Sequence, residues 1–377
     1  MDFNLSEEQR MLQDSLVKFV GSQYAYEQRR KLAQSSEGFS RDYWKQYAEL
    51  GWLCLPFSED DGGINAGPVE TMLVMDALGK GLALEPYLST VVLCGGLLRR
   101  AADAAQRSRW VSGIIEGSVI MALAQSEPGD RYDTANVAAT AKAEGDRYVL
   151  NGRKSFVVGG ASADAFIVVA RTSGGQTDPQ GVSLFIVERN APGLTVQTVR
   201  CLDGHRAAEL VLDNVSVEAA ALLGEPGVAV PLLEVVTAEA TLAVSAEAVG
   251  IMERLYKDTV EYTKTRKQFG MPIAVFQALQ HRMVDMFTAH EQAKSLLYKA
   301  VLSLQDGEPD TARSISALKH YVSTTGQKVA HEAVQIHGGM GMTEEMSVGV
   351  YLKRINVIAT LFGNGEMHLR RFMALPA

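Results

Sequence analysis

Three short stretches of this sequence carry residue types suited to binding an extended anion. Arg266, in "TRKQFGMPIAVFQ", has a planar guanidinium that matches a phosphate group. Gly338 and Gly339, in "QIHGGMGMTEE", let another group approach the backbone closely. The turn "SEPGD", which begins at Ser126, can offer backbone N–H groups. Each stretch also has an ordinary explanation: cations at a helix C-terminus, a helix cap, and a plain turn.

Other chemistry is not indicated by the residues alone. His337 precedes the glycine pair, but a lone histidine before such a turn is more often structural than catalytic. The seven histidines and three cysteines lack metal-ligand spacing, so no metal site is predicted. The dinucleotide fingerprint, the P-loop and the serine nucleophile elbow are missing. We therefore predict a multidomain protein that binds an extended anionic ligand between domains.

The elements that position these stretches follow the order helices, strands, helices. Ser6 and Gln9 form a capping-box pattern at the first helix. A second helix is predicted from about Ser40, with Gly51 as its stop. Three long helical segments after Pro226 predict an antiparallel bundle.

The middle of the chain is typical of a β domain. Short β-branched segments begin near residue 118 and are separated by turn residues, and Asn151-Gly152 predicts a hairpin turn. No helix-length segment interrupts them, which favours an antiparallel barrel or sandwich. The predicted domains are 1–118 (helical), 119–224 (β) and 225–377 (helical).

Composition narrows the class of protein. A net charge of -8 argues against a general nucleic-acid binder. Three well-separated cysteines are typical of reduced thiols in a cytoplasmic protein. The N-terminus lacks a signal-peptide core, and no apolar run reaches the roughly 20 residues of a membrane span. We expect a cytoplasmic protein without a membrane span.

Taken in order, the motifs are more specific than any one of them. The order is "LSEEQ", "ELGWLCLPFSEDDGG", "SEPGD", "YVLNGRKSFVVGGASAD", "LDNVSV", "RKQFGMPIAVFQ" and "VQIHGGMGMTEE". Over nearly its full length the chain resembles the acyl-CoA dehydrogenase family. Within that family it is most similar to the subgroup of pimeloyl-CoA dehydrogenase small subunits.

The resemblance implies an α+β fold: an N-terminal helical domain, a middle antiparallel β-barrel and a C-terminal four-helix bundle. It also implies FAD, held between barrel and bundle and across a subunit interface. The implied substrate is an acyl-CoA thioester, as in fatty-acid β-oxidation. The implied partners are an electron-transfer flavoprotein or similar acceptor, and a homologous subunit in a homo- or heterotetramer.

The family's flavin contacts can be carried onto this chain. Ser126 matches the turn that touches the flavin ring. Phe156 and Val158 match the segment that covers the ring face, where they replace a frequent tryptophan and threonine. Arg266, Gln268 and Phe269 match the segment that reaches the FAD of a neighbouring subunit, with Arg266 on the pyrophosphate, and Phe276 and Gln277 follow on the next helix. Gln335, Gly338 and Gly339 match the turn whose backbone approaches the adenosine half of FAD.

The family's catalytic base is the exception. Members remove the α-proton of the thioester with a carboxylate while a β-hydride leaves to the flavin. The commonest base position falls on Gly363, and the alternative position on the long helix falls on Ala240. Three explanations stay open: Glu247 or Glu239 is a relocated base, another residue or an equivalent site in a partner chain supplies the base, or the chemistry differs, as in a flavin-dependent oxygenase. A non-catalytic partner that completes another subunit's FAD or CoA site is a further alternative.

Overall fold

The computed structural model describes residues 4–130 and 132–376. Residues 1 and 377, where the outer predicted domains begin and end, lie outside this part of the chain. The predicted order of helices, strands and helices is confirmed. The three domain boundaries stay predictions.

Helices precede the sheet. Their bounds are α1 (Glu7–Gln23), α2 (Tyr26–Gln34), α3 (Arg41–Glu49), α4 (Pro68–Gly81), α5 (Gly95–Ala101), α6 (Ala104–Gln106) and α7 (Ser112–Ile115). The predicted capping box is present: the Ser6 hydroxyl accepts from the Gln9 N–H, and the Gln9 side chain accepts from the Ser6 N–H. Ser40 caps α3, and Gly51 follows it with a φ of 76°, so the predicted start and stop are confirmed. This helix is the third rather than the second, because α2, which was not predicted, precedes it.

The strands of the central region form one sheet, apart from a later two-stranded hairpin. Their bounds are β1 (Met121–Ala124), β2 (Thr140–Glu144), β3 (Arg147–Val158), β4 (Ala165–Arg171), β5 (Val182–Glu188), β6 (Leu194–Arg200), β7 (Arg206–Glu218), β8 (Leu222–Leu223), β9 (Lys267–Gln268) and β10 (Met271–Pro272). The order in the sheet is β6-β7-β3-β2-β4-β5-β8, with β1 beside β4. The β1–β4 and β2–β4 pairs are parallel, so the sheet is mostly rather than wholly antiparallel.

The hairpin turn predicted at Asn151-Gly152 is wrong. The β2–β3 hairpin turns at Gly145-Asp146, where Glu144 pairs with Arg147 and Gly145 has a φ of 65°. Strand β3 runs straight through Asn151-Gly152, with a register shift there. Gly152 is needed for packing, because a Cβ on it would lie 2.6 Å from the Cβ of Ala139.

Long helices fill the C-terminal region. Their bounds are α8 (Val230–Thr265), α9 (Gln277–Gln305), α10 (Thr311–His337), α11 (Val348–Ile358) and α12 (Gly365–Ala374). Helix α8 corrects the expectation that no apolar run is long enough for a membrane span. Its most apolar window has a mean hydropathy of 1.5, but 78% of that window is buried, which is typical of a core helix.

Contacts between Cα atoms divide the chain into two compact units. The first combines residues up to Lys31, the segment Gly67–Ala83 and the chain from Thr241 onward. The second combines Leu32–Ala66 and Leu84–Ala240, and therefore contains the large sheet.

Within the first unit, two glycines bring α4 and α8 into backbone contact. A Cβ on Gly79 would lie 2.3 Å from the carbonyl oxygen of Glu247. A Cβ on Gly250 would lie 2.1 Å from the carbonyl oxygen of Asp76. Backbone atoms cannot move aside as the ends of side chains can. The two glycines therefore set how closely the α8 segment that carries Glu247 packs against α4.

Candidate functional site

The predicted flavin-ring residues of the second unit lie together where β1 ends. The Ser155 N–H donates to the Ser126 carbonyl at 2.8 Å, which ties the "SEPGD" turn to β3. Ser126 and Phe156 are exposed, and Val158 is half-buried. The structure therefore brings these three predicted residues to one end of the sheet.

Phe156 lies in a β-bulge of β3. Ser155 and Phe156 together face one residue, Glu209, on β7. Phe156 has a φ of 49°, a conformation that bulky residues rarely adopt, and its ring is 42% exposed. Its N–H donates to a Glu209 carboxylate oxygen at 3.1 Å. Bulges and strained residues concentrate at binding sites, which supports the predicted role of this segment.

A buried ion pair supports the same turn, and the sequence reasoning missed it. Lys154 Nζ donates to Glu127 Oε1 at 2.6 Å and to the Gln125 carbonyl at 3.2 Å. Lys154 is fully buried, and burial lowers its pKa. Glu127 also accepts from the N–H groups of Ala138 and Ala139. A lysine on the apolar face of a predicted strand, close to a conspicuous turn, was the available signal.

Arg171, at the end of β4, organises the loops beside this turn. Its guanidinium is buried and, among the described residues, donates to the backbone carbonyls of Ala135, Val137, Ser173, Gln176, Asp178 and Gln180. Its own N–H donates to the carbonyl of Ala139 at 2.8 Å. The segment between β1 and β2 and the loop between β4 and β5 are thus held by one side chain.

The predicted pyrophosphate segment in the first unit is a tight hairpin. Strands β9 and β10 are joined by Phe269-Gly270, with φ of 52° and 79°, as a type I′ turn requires. The Phe269 ring is 89% exposed and meets the Phe276 ring edge-on at 6.0 Å. An aromatic residue at a position that suits asparagine or glycine indicates a role other than making the turn.

The end of α8 meets the end of α10. The Tyr262 ring stacks on the His337 ring at 4.2 Å, and its hydroxyl donates to the His337 carbonyl at 3.3 Å. This contact places Arg266, one turn beyond Tyr262, near the Gly338 turn. His337 is buried, its Nδ1 contacts the Ala333 carbonyl at 2.8 Å, and burial lowers its pKa, which describes a structural histidine.

The remaining predicted residues of this group face solvent. They are Arg266, Gln268, Gln277, Gln335, Gly338 and Gly339. The Arg266 guanidinium forms no ion pair or hydrogen bond with another described residue, so it is free to bind an anion. Gly338 is needed for its φ of 62°, and the space beside both glycines is open. An arginine fork, an exposed aromatic ring and an open glycine turn fit the phosphates and adenosine of FAD.

Both carboxylates predicted as relocated bases are paired with arginine. Arg354 binds Glu247 through two hydrogen bonds, Nε to Oε1 at 2.6 Å and Nη2 to Oε2 at 2.8 Å, and Glu247 is 5% exposed. Glu239, in the second unit, accepts from Arg99 and Arg100. This is the arrangement of structural ion pairs, and it is a poor starting point for a base that must reach a substrate carbon.

The Gly363 turn brings no acidic side chain of its own to the base position. Phe362 and Gly363 have φ of 57° and 113°, and the Asn364 side chain caps α12 by accepting from the Met367 N–H at 2.9 Å. His368 Nε2 contacts the Phe362 carbonyl at 3.0 Å. Burial lowers the pKa of His368 to about 4, so its ring is neutral near pH 7.

Three family models match consecutive parts of this chain. They are the acyl-CoA dehydrogenase N-terminal domain over residues 6–118, the middle domain over 122–215 and the C-terminal domain over 235–374. The chain belongs to the acyl-CoA dehydrogenase family. Family membership identifies FAD as the cofactor and supports FAD-dependent dehydrogenation as the reaction class.

Curated relatives of this chain carry names that specify different acyl carriers. A short-chain specific acyl-CoA dehydrogenase of Clostridium acetobutylicum is 29% identical over 97% of each chain. An L-prolyl-[peptidyl-carrier protein] dehydrogenase of Serratia is 30% identical over 98% of this chain and 96% of its own length.

Solved structures agree with the fold over the whole chain. The ChsE4-ChsE5 complex from Mycobacterium tuberculosis has a chain with a TM-score of 0.89 and 28% identity, covering 100% of both chains. The FAD complex of PigA has a TM-score of 0.91 and 28% identity, covering 99% of this chain and 98% of its own. The predicted fold is therefore confirmed, whereas the individual site residues stay predictions.

Proposed function

We propose that this chain is the small subunit of a heteromeric FAD-dependent acyl-CoA dehydrogenase, similar to the pimeloyl-CoA type. A homologous large subunit supplies the catalytic carboxylate. Electrons leave to an electron-transfer flavoprotein or a similar acceptor. Oxidation of an acyl-CoA in the cytoplasm stays part of this proposal.

One observation carries the proposal: the cofactor-binding features are retained while a usable base is not. Arg266 is exposed and unpaired, and Phe269 is held outward on its hairpin. Position 363 is glycine, and Glu247 is bound by Arg354. A chain that only contributes contacts to the flavin of a neighbouring subunit needs the cofactor-binding residues but not a catalytic base. The ChsE4-ChsE5 complex supports this proposal, because one of its chains has this fold and the complex is named for two components.

The retained residues have defined tasks in this scheme. When bound, FAD would supply the acceptor for the β-hydrogen. Arg266 would neutralise the pyrophosphate, and Phe269 would shield it from water. Ser126 and the Phe156 bulge would present a fixed edge of the sheet to the flavin ring, with Lys154 and Glu127 holding that edge in place.

The visible spectrum of the purified chain tests the proposal. Expressed alone, the chain should be colourless or weakly yellow and should not bleach with acyl-CoA. Co-expressed with a homologous large subunit, it should yield a yellow complex that bleaches. A chain that binds FAD and bleaches alone would instead favour a homotetrameric dehydrogenase with a relocated base. A complex whose flavin and activity are unchanged by removal of this chain would contradict the proposal.

Phe269→Asn tests the contribution of the hairpin. Asparagine suits the left-handed turn position better than phenylalanine, so the fold should be retained or slightly stabilised. Loss of the ring should weaken flavin retention by the complex at least roughly tenfold, about 1.4 kcal/mol. Met271→Asn, on the neighbouring strand and 44% exposed, is the control that keeps Phe269. Equal flavin retention in Phe269→Asn and the wild type would remove Phe269 from the site.

A further inference from the structure

We propose that Met367 and His368 close the base position of this chain, so that Gly363 marks a filled site rather than an empty one. The inference depends on the proposed function only for calling position 363 the base position. The packing around Gly363 and the test below involve neither flavin nor substrate.

The backbone at this turn already excludes most side chains. Phe362 and Gly363 are consecutive residues in the positive-φ region, at 57° and 113°. Only glycine enters that region without a penalty, and a φ of 113° is unfavourable for any residue with a Cβ. A glutamate at position 363 would therefore have to reshape the turn.

The space beside the turn is occupied as well. A Cβ at position 363 would lie 2.0 Å from Met367 Cε and 2.8 Å from His368 Nε2. The thioether end of Met367 is flexible and can swing away. The His368 ring cannot do so easily, because it is 2% exposed and its Nε2 is bonded to the Phe362 carbonyl. Met367 is thus the movable part of the closure and His368 the fixed part.

Side chains from α10 hold the backbone on both sides of the turn. Lys319 Nζ donates to the Ile358 carbonyl at 2.5 Å, at the end of α11. His320 Nδ1 contacts the Gly365 carbonyl at 2.8 Å, at the start of α12. With both ends fixed, the turn cannot shift as a unit to admit a side chain. Gly363→Glu alone should therefore fail to restore a base.

A double-mutant cycle in chemical denaturation tests the closure. The full-length chain is used in the assembly in which it is purified, and the variants are Gly363→Ala, Met367→Ala and the two combined. Gly307→Ala is the control for a positive-φ glycine in open space, because Gly307 has a φ of 65° and nothing within 4 Å of its Cβ position. Met373→Ala, 75% exposed on the same helix, is the control for shortening a methionine.

The closure predicts a specific non-additivity. Gly363→Ala should lower the denaturation midpoint at least about twice as far as Gly307→Ala, since it adds a steric conflict to the φ penalty. Met367→Ala should lower the wild-type midpoint but raise that of Gly363→Ala, whereas Met373→Ala should raise neither. If Gly363→Ala yields no folded protein, recovery of folded protein by Met367→Ala is the same result. Additive effects, or equal losses at positions 363 and 307, would overturn the inference.

Flavin bleaching separates this inference from the proposed function. If the chain alone bleaches with acyl-CoA and the mutant cycle is non-additive, the proposed lack of a base is wrong and the proposed packing around Gly363 is supported. If Gly363→Ala does not lower the denaturation midpoint and the chain bleaches only with its partner, the closure is wrong and the heteromeric function is supported.

Discussion

At the scale of single residues, Glu247 shows that a carboxylate predicted as a catalytic base can instead form a structural ion pair. It lies two turns beyond Ala240 on α8, so the sequence made it a plausible relocated base. In the structure its carboxylate binds the buried guanidinium of Arg354. No local sequence pattern predicts this pair, because the two residues are 107 positions apart. Helical spacing predicted the face of Glu247 but not its partner.

Glu247→Gln should destabilise the protein rather than slow a chemical step. The change leaves the Arg354 charge buried without its counter-ion, which should cost about 3 kcal/mol of unfolding free energy. Glu366→Gln is the control, because the Glu366–Arg370 pair is 69% and 78% exposed and should contribute less than about 1 kcal/mol. A tenfold loss of bleaching rate with unchanged stability would identify Glu247 as the base after all.

Lys319 should make stability rise with pH above neutrality. Burial lowers the pKa of Lys319 to about 7 in the folded chain, against 10.5 unfolded, so the unfolded chain binds more protons between these values. The free energy of unfolding should therefore increase by up to about 1.4 kcal/mol per pH unit above pH 7. Below pH 7 both states are protonated and this dependence ends.

Denaturation curves between about pH 7 and 8, below the midpoints of thiol and phenol titration, measure this slope. Lys319→Met should flatten it, whereas Lys45→Met, on an exposed side chain, should not. The same slope in Lys319→Met and the wild type would show that Lys319 is charged in the fold.

At the scale of elements, local signals predicted helix ends well and the sheet less well. The Ser6 capping box depends on residues three positions apart, and it formed as expected. Asn151-Gly152 has the composition of a hairpin turn, yet Gly152 is required by Ala139, the residue just before β2. Helix caps are determined within one turn of chain, whereas the use of a glycine in a strand is determined by its neighbours in space.

The α4–α8 crossing should tolerate no added methyl group. Gly250→Ala should lower the unfolding free energy by at least about 2 kcal/mol, because the new Cβ would meet the Asp76 carbonyl. Gly21→Ala in α1 is the matched control, since nothing lies within 4 Å and alanine should stabilise that helix by roughly 0.5–1 kcal/mol. Thermal and urea denaturation compare the two variants. Equal effects would mean that the helices separate without cost.

At the scale of the whole molecule, the first unit exposes several large apolar side chains. Phe269 is 89% exposed, Val284 58% and Phe287 47%. Exposed apolar patches of this kind mark interaction surfaces. They agree with the tetramer that the resemblance implied. The order of the motifs along the sequence predicted the fold and the cofactor. The pairing of Glu247 with Arg354 and the packing around Gly363 became known only from the structure.

Val284→Asp combined with Phe287→Asp should dissociate the assembly. A charge on each residue of this α9 surface disfavours burial against another chain. Sedimentation should show a lower mass, and bound flavin should fall with it if the cofactor spans subunits. Val17→Asp is the control, since Val17 is equally exposed, at 60%, on α1. An unchanged mass in the α9 variant would place the interface elsewhere.

The hydrogen bonds of Arg171 couple the motions of two loop segments. One guanidinium serves as a non-covalent cross-link between two segments that lack regular structure, 135–137 and 173–180. Opening either segment breaks bonds that also hold the other. Amide hydrogens there should exchange with solvent in concert, as one cooperative unit, and the edge of the sheet at Ser126 inherits that stiffness.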